Sequence, residues 1–325
     1  VDSMRLEVPR SGTFAFDGVF APGSQEDIFE DCRDLIQSVA DGHNVTIFAY
    51  GQTGAGKTYT LYGTPEQEGI ASRAIRELFK LVDALRNKHS VTITGSMYEL
   101  HRNQLTDLLR NQQRRPGTSS SSSCPGSPKL GLRTDHDGFA QVDRLVEKEV
   151  KDAPELIRLL VRGLSQRIVA ANAMNAESSR SHVMFTVKVT SVDAETREPL
   201  TGKLLLCDLG GSERLKRTEA AGDQLKEAIE INKSLSALGD VIEAVAERRR
   251  QVPYRNHKLT QLLQDSLGGT AKTLMFVNVS PAESNMQETA MSLNYASRAK
   301  RITNGVTLQV PSSPALSSRR GLVNY

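Results

Sequence analysis

Residues 44–63 read NVTIFAYGQTGAGKTYTLYG, and the reading of the whole chain starts from this stretch. Val45, Ile47, Phe48 and Ala49 make a short apolar run, the mark of a buried strand. The run breaks into Gly51-Gln52-Thr53-Gly54-Ala55-Gly56-Lys57-Thr58 and continues as a short helical stretch ending near Gly63. This is G-x-x-x-x-G-K-[ST] in the strand–loop–helix setting that gives the pattern its meaning. Glycines let the backbone curl closely around phosphate oxygens with its N–H groups pointing inward. The helix that follows adds its positive end. Lys57 is expected to reach the β- and γ-phosphates of a nucleoside triphosphate, and the Thr58 hydroxyl to sit on Mg²⁺. Gly51 to Thr58, with the adjacent Tyr59, are the candidate nucleotide-binding residues.

The composition frames this. The 325 residues are 38% hydrophobic and 24% charged, ordinary globular material for one large domain or two average ones. No apolar run approaches the ~18 residues of a membrane span, and no signal peptide opens the chain. Cys32, Cys124 and Cys207 are widely spaced and odd in number, which fits a reducing compartment and excludes a disulfide framework or a C-x-x-C metal site. The net charge of +3 is too small to predict a polyanionic partner, so any basic surface must be local. A first residue Val1 in place of Met predicts a fragment of something longer.

Strands and helices alternate along the chain. Residues 14–20 alternate apolar and polar and predict a strand running into a turn. Ser24 followed by Asp27 predicts a helix start, with the helix continuing to about Gly42. Residues 72–87 repeat the helical pattern, 91–99 predict a strand, and 153–171 a further helix. Residues 183–192 and 202–208 predict strands joined by a polar hairpin, 235–249 a long helix, 274–279 a buried strand and 286–301 a last helix. This order predicts an α/β fold: a central, mostly parallel sheet of the P-loop NTPase type with helices on both faces. Arg114 to Lys129, RRPGTSSSSSCPGSPK, is low-complexity and predicts a mobile surface insertion, because Ser, Pro and Gly cannot bury enough apolar area to offset chain entropy.

Phosphoryl hydrolysis on such a loop needs a carboxylate near Mg²⁺, a sensor of the γ-phosphate and groups that position water. Asp208 ends the apolar strand KLLLCD, where the acid is expected, and three residues on Gly211 offers an N–H for a γ-phosphate oxygen. Upstream lies Asn175-Ala-Glu-Ser-Ser-Arg-Ser-His182, unusually polar for a stretch in front of a strand. Two adjacent hydroxyls can ligate Mg²⁺ and hold a water, and the following Arg can pair with a carboxylate.

Together these segments resemble the kinesin motor domain over nearly the whole chain. The matching stretches are FAYGQTGAGKT (48–58), NAESSRSH (175–182), DLGGSE (208–213), INKSLSALGDVI (231–242), VPYRNHKLTQLLQDSLGG (252–269) and SLNYASRAKRITN (292–304). The resemblance implies an ATPase with bound ATP or ADP and Mg²⁺, the ion held by Thr58, Ser179 and Asp208. Ser178, Ser179, Arg180, Gly211 and Glu213 become the candidate catalytic set, with Arg180 and Glu213 bridging the two switches over ATP. Asn232 falls at the position that senses microtubule attachment. Residues 1–304 would be the motor domain without the family's first strand, and 305–325 a neck or tail segment in which Val306 to Val310 alternates like a strand. Switch II has Gly210 where the family usually has Ala, and the 114–129 insertion is not part of the family pattern.

The track side rests partly on charge. Arg248, Arg249, Arg250, Arg255, His257 and Lys258 cluster within a short segment that overlaps the family's microtubule-binding loop and helix. Arg255, His257 and Lys258 are therefore expected to meet tubulin, with Arg217 and Lys226 as second-rank contacts, and steered attachment of this kind weakens with salt. Within kinesins, the resemblance is greatest to the C-terminal, minus-end-directed group and to its kinesin-like calmodulin-binding proteins. It implies a microtubule-stimulated motor in the cytoplasm, on the cytoskeleton and the spindle, with no nucleic-acid partner and no membrane insertion. A dimerising coiled coil and any calmodulin or Ca²⁺-sensor contact would lie in segments outside this chain. The alternative within the family is a microtubule-binding or microtubule-destabilising kinesin without processive motility. A GTPase would need N-K-x-D, which neither NKHS (87–90) nor NKSL (232–235) supplies, and a nucleotide-insensitive binder would be expected to have lost Lys57, Thr58, Asp208, Gly211 or Glu213.

Overall fold

The computed structural model describes residues 4–110, 129–135, 138–173, 178–214 and 223–309. The amino end is a two-stranded ribbon of β1 (Arg5–Val8) and β2 (Gly12–Ala15). There follow α1 (Gln25–Glu30), α2 (Arg33–Ala40), β3 (Asn44–Tyr50), α3 (Lys57–Tyr62), α4 (Ile70–Leu85), β4 (His89–His101), β5 (Gln104–Asp107) and the β6 (Gly131–Thr134) and β7 (Ala140–Asp143) hairpin. The rest is β8 (Lys148–Val150), α5 (Ala153–Ala173), β9 (His182–Asp193), β10 (Pro199–Asp208), α6 (Asp223–Ala246), α7 (Lys258–Leu262), β11 (Lys272–Val277) and α8 (Met286–Ala299). The Ser-rich insertion falls outside the described residues except for Lys129.

The central sheet runs β11–β3–β10–β9–β4–β5, with β8 also paired to β4. β3 is parallel to β10 and to β11, but the β10–β9, β9–β4, β4–β5 and β4–β8 pairings are antiparallel. The sheet is thus mixed and not mostly parallel. The reason is local: the 194–198 connection is too short for a crossover, so β9 and β10 can only fold back on each other.

Alternation along the central strands sorts side chains between two helical layers. Val45 and Ile47 of β3 and Leu204 and Leu206 of β10 face a core shared with Ile36, Val39, Leu61, Ile75, Leu78 and Leu160. Phe48 and Tyr50, with Leu205 and Cys207, face the opposite core of Leu238, Val241, Ile242, Leu259 and Leu263. On that second side the Tyr50 and Tyr295 rings lie parallel, 4.2 Å between centroids and 4° apart in plane.

Three predicted elements end elsewhere. The helix expected from Ser24 to Gly42 is two helices, because the Cys32 N–H turns back to the Phe29 carbonyl (2.8 Å) and closes α1. α6 begins well before Leu235: Ala228 and Ile231 extend its apolar stripe in a stretch whose charged residues hid the periodicity. The strand expected at 306–310 amounts to one bridge, Leu308 against His43. Around it Gln309 N–H donates to the Gly42 carbonyl and Thr201 N–H to the Gln309 carbonyl, both at 3.0 Å, laying the segment against the sheet.

Candidate functional site

The phosphate loop sits where β3 gives way to α3, at the carboxyl ends of the parallel strands. Gly51 is required here by space: with φ +148°, a Cβ would stand 2.1 Å from the Asn278 carbonyl oxygen just beyond β11. Asn278 also donates its N–H to the Tyr50 carbonyl (2.8 Å) and its side-chain amide to Thr60 Oγ1 (2.9 Å), so the end of β11 clamps the loop from outside. Lys57 is 7% exposed, and its Nζ donates to the Gly51 and Gln52 carbonyls, both at 2.9 Å. Burial pushes its pKa down, countered in part by the Asp208 and Glu213 carboxylates. Tyr59 stands exposed, its hydroxyl donating to Gln67 Oε1 and its carbonyl accepting from Gln25 Nε2 (2.7 Å).

Asp208, the acid expected near Mg²⁺, closes β10. Its Oδ2 accepts from Thr58 Oγ1 (2.8 Å) and pairs with Arg167 Nη1 of α5 (3.3 Å). Its Oδ1 is buried without a hydrogen bond. A hydroxyl beside an unsatisfied buried carboxylate oxygen is a hard, all-oxygen donor set. It fits Mg²⁺, which takes one or two protein oxygens and completes its shell with water and phosphate. Arg167 was not legible in the sequence, where it is one cation on a long helix. In space it joins Asp208 to Ser181 (Nη2 to Oγ, 3.2 Å), which in turn donates to Glu99 (2.6 Å).

The 178–182 and 208–213 segments touch. Gly211 N–H donates to the Ser179 carbonyl (2.8 Å), and Ser212 N–H to the Gly51 carbonyl (3.1 Å). Gly210 N–H donates to His182 Nδ1 (3.0 Å), so the ring proton is on Nε2, which donates to Ser234 Oγ of α6 (2.8 Å). The Ser234 hydroxyl in turn donates to the Ile231 carbonyl (2.6 Å). Burial, with His257, Arg167 and Lys57 adding to it, drives the His182 pKa down to about 3, which keeps the ring neutral. Polarity in front of a strand was the only sign of His182 in the sequence.

Several expected contacts are not made in this structure. The Gly211 N–H is committed to Ser179 and not to an open phosphate position. Arg180 and Glu213 are not paired: Arg180 Nη1 lies 3.3 Å from Glu227 Oε2 on α6, while Glu213 accepts from Thr53 N–H (2.8 Å) and Thr53 Oγ1 (2.6 Å). The cause is proximity, since Thr53 offers two donors from the phosphate loop and Glu227 stands on the helix beneath Arg180. The Ser178 side chain lies outside the described residues; its backbone opens a short 3-10 turn, Ser178–Arg180.

The basic segment separates into different jobs. Arg255 is exposed in the Tyr254–Asn256 turn, and Lys226 is exposed on α6. His257 is 4% exposed, and its Nδ1 accepts from Leu259 N–H (3.1 Å) as the N-cap of α7, so it is no surface contact. Lys258 Nζ donates to the Asn103 carbonyl (2.8 Å), tying α7 to the β4–β5 turn. Arg249 pairs with Glu243 and Glu247. Asn232 donates to the Ala228 carbonyl within its own helix (2.9 Å). Arg217 lies outside the described residues. Among the described residues no helix is long and apolar enough to cross a membrane.

The chain is similar to proteins already known. The family profile of the kinesin motor domain matches residues 3–302. The chain is 46% identical over 330 residues to kinesin-like protein KIN-14E of Arabidopsis thaliana, covering 100% of this chain and 25% of that protein. It is 45% identical over 302 residues to KIN-14I of Oryza sativa subsp. japonica, covering 93% and 23%. The chain thus spans about a quarter of these curated relatives. A solved structure of a fast kinesin, described for its ATPase mechanism and interactions with microtubules, superposes with a TM-score of 0.83 at 37% identity, covering 97% of this chain and 86% of that one. A KIF14 dimer in a two-heads-bound state, with AMP-PNP and in complex with a microtubule, gives 0.81 at 33%, covering 94% and 88%.

Proposed function

The chain belongs to the kinesin motor-domain family, and from that premise we propose that it is a microtubule-stimulated ATPase that moves along or pulls on microtubules toward their minus ends. The observation that carries this is the junction of Thr58 and Asp208 under the phosphate loop, with the 178–182 segment held to Gly211 beside it. Thr58 Oγ1 and Asp208 Oδ1, with Ser179, would hold Mg²⁺, which when bound neutralises phosphate charge and orients the γ-phosphoryl group. Lys57 leaves its two carbonyl partners for the phosphates. Arg180 and Glu213 swing together and close the loops, which keeps bulk water out and holds the attacking water in line.

Arg255, Lys258, Lys226 and Arg217 form the track-facing charge in this reading, with the buried His257 left out of it. The minus-end direction, a partner coiled coil, calmodulin control and a spindle role rest on the resemblance in sequence and on segments outside this chain. Phosphate release measured with and without microtubules tests the proposal. The wild type is expected to accelerate with microtubules, and Lys57→Ala to lose nucleotide binding and turnover together. A Lys57→Ala variant with wild-type turnover would remove the assignment.

A further inference from the structure

Glu227 has no role in the reading above, yet it is 3% exposed in the first turns of α6 and gathers two arginines and a histidine ring. Arg102 Nη2 donates to its Oε1 at 2.8 Å, His101 Nε2 stands 3.4 Å from the same oxygen, and Arg180 Nη1 stands 3.3 Å from Oε2. A buried carboxylate held on both oxygens survives the departure of Arg180, because the Arg102 guanidinium remains on Oε1. Arg180 is thus held by a site that can release it.

Glu213 is held in a complementary way. One of its donors is Thr53 N–H, an amide of the phosphate loop itself. A phosphate entering the cradle competes for that amide and displaces Glu213. The two held partners are already close: the Ser179 carbonyl, one residue before Arg180, accepts from Gly211, two residues before Glu213.

We propose that Glu227 is a positioning residue that withholds Arg180 from Glu213 until α6 moves. The bridge between the switches then needs two inputs, phosphate at Thr53 and displacement of α6, and neither alone closes it. This rests on the motor reading, in which the track engages α6 next to Glu227 through Lys226. It goes beyond that reading by naming what keeps hydrolysis slow in the absence of the track.

The test is the rate of the hydrolysis step, read as the phosphate burst in a single turnover. Without microtubules, Glu227→Gln is expected to speed the burst by ~10–30-fold, the lower part of what a charge-assisted hydrogen bond carries. With saturating microtubules it is expected to match the wild type. In a Glu213→Ala background the same substitution is expected to give no acceleration. Glu227→Asp, which keeps a charge beside Arg102 but draws it back from Arg180, should move the burst in the same direction and covers the case in which Glu227→Gln does not fold. An unchanged or slower burst in both variants overturns the proposal, as does equal acceleration without Glu213. A wild type that microtubules do not stimulate would instead remove the motor reading, and this inference with it.

Discussion

His182 can be taken apart one nitrogen at a time. Asn at this position places Oδ1 near where Nδ1 stands, keeps an acceptor for Gly210 N–H and gives up Ser234. Gln reaches toward Ser234 and leaves Gly210 N–H without a partner. An unsatisfied buried N–H costs about 1–3 kcal/mol, or roughly 5–150-fold in any step that needs the loop in place. His182→Gln is therefore expected to slow single-turnover hydrolysis by at least ~10-fold, and His182→Asn by no more than a few-fold. The acid side gives an independent reading. The folded pKa is about 3, below the ordinary 6.5, so unfolding takes up a proton below pH 6.5 and stability falls as pH falls. Between pH 8 and pH 5 this one group removes about 2 kcal/mol, and both variants should lose that slope in melting curves. If Asn and Gln slow hydrolysis equally, the Gly210 bond does not position the switch. If the acid slope survives both substitutions, His182 is not the buried neutral group described.

Arg167→Gln should be costly twice over. It leaves Asp208 and Glu99 short of a buried cation, a loss of ~3–5 kcal/mol, and both the melting temperature and turnover should drop. Wild-type melting would show that the network does not bear on the fold. Arg255→Glu is expected to raise the microtubule concentration for half-stimulation and to flatten its salt dependence, with turnover in the absence of microtubules unchanged. A fall in that basal turnover would place Arg255 in the fold. His257→Ala is expected to cost ~1 kcal/mol of stability as a lost N-cap while leaving microtubule affinity alone. Weakened affinity at unchanged stability would return His257 to the surface set.

The sequence made local chemistry plain and left distant chemistry hidden. The candidate phosphate loop stands out because its glycines, Lys57 and Thr58 lie within one turn of chain, and Asp208 stands out as a candidate because a strand end has a predictable address. The mixed sheet was less legible, since apolar runs look alike whichever way a buried strand runs. Arg167 and Glu227 could not be found from spacing at all: each is an ordinary charge on a helix until folding brings Asp208 or Arg180 against it. His257 shows the opposite error. It shares a basic run with Arg255 and Lys258, but the turn into α7 points its ring inward to cap the helix.

The contacts of residues 307–309 fall on Gly42, His43, Thr201 and Thr270, at the entry ends of β3, β10 and β11, whereas Gly51 and Asp208 mark the exit ends of β3 and β10. The two sites are joined by a span of about 20 Å of strand, some seven residues at ~3.3 Å each. Strands packed on both sides hardly stretch, so a pull at one end reaches the other as a tilt of the whole plank. The tail then has leverage over the orientation of the phosphate loop while leaving its internal shape alone. Removing residues 305–325 should accordingly leave ADP affinity within about twofold of the intact chain, well under the tenfold that 1.4 kcal/mol represents. A tenfold change in ADP affinity would show that the strands yield along their length.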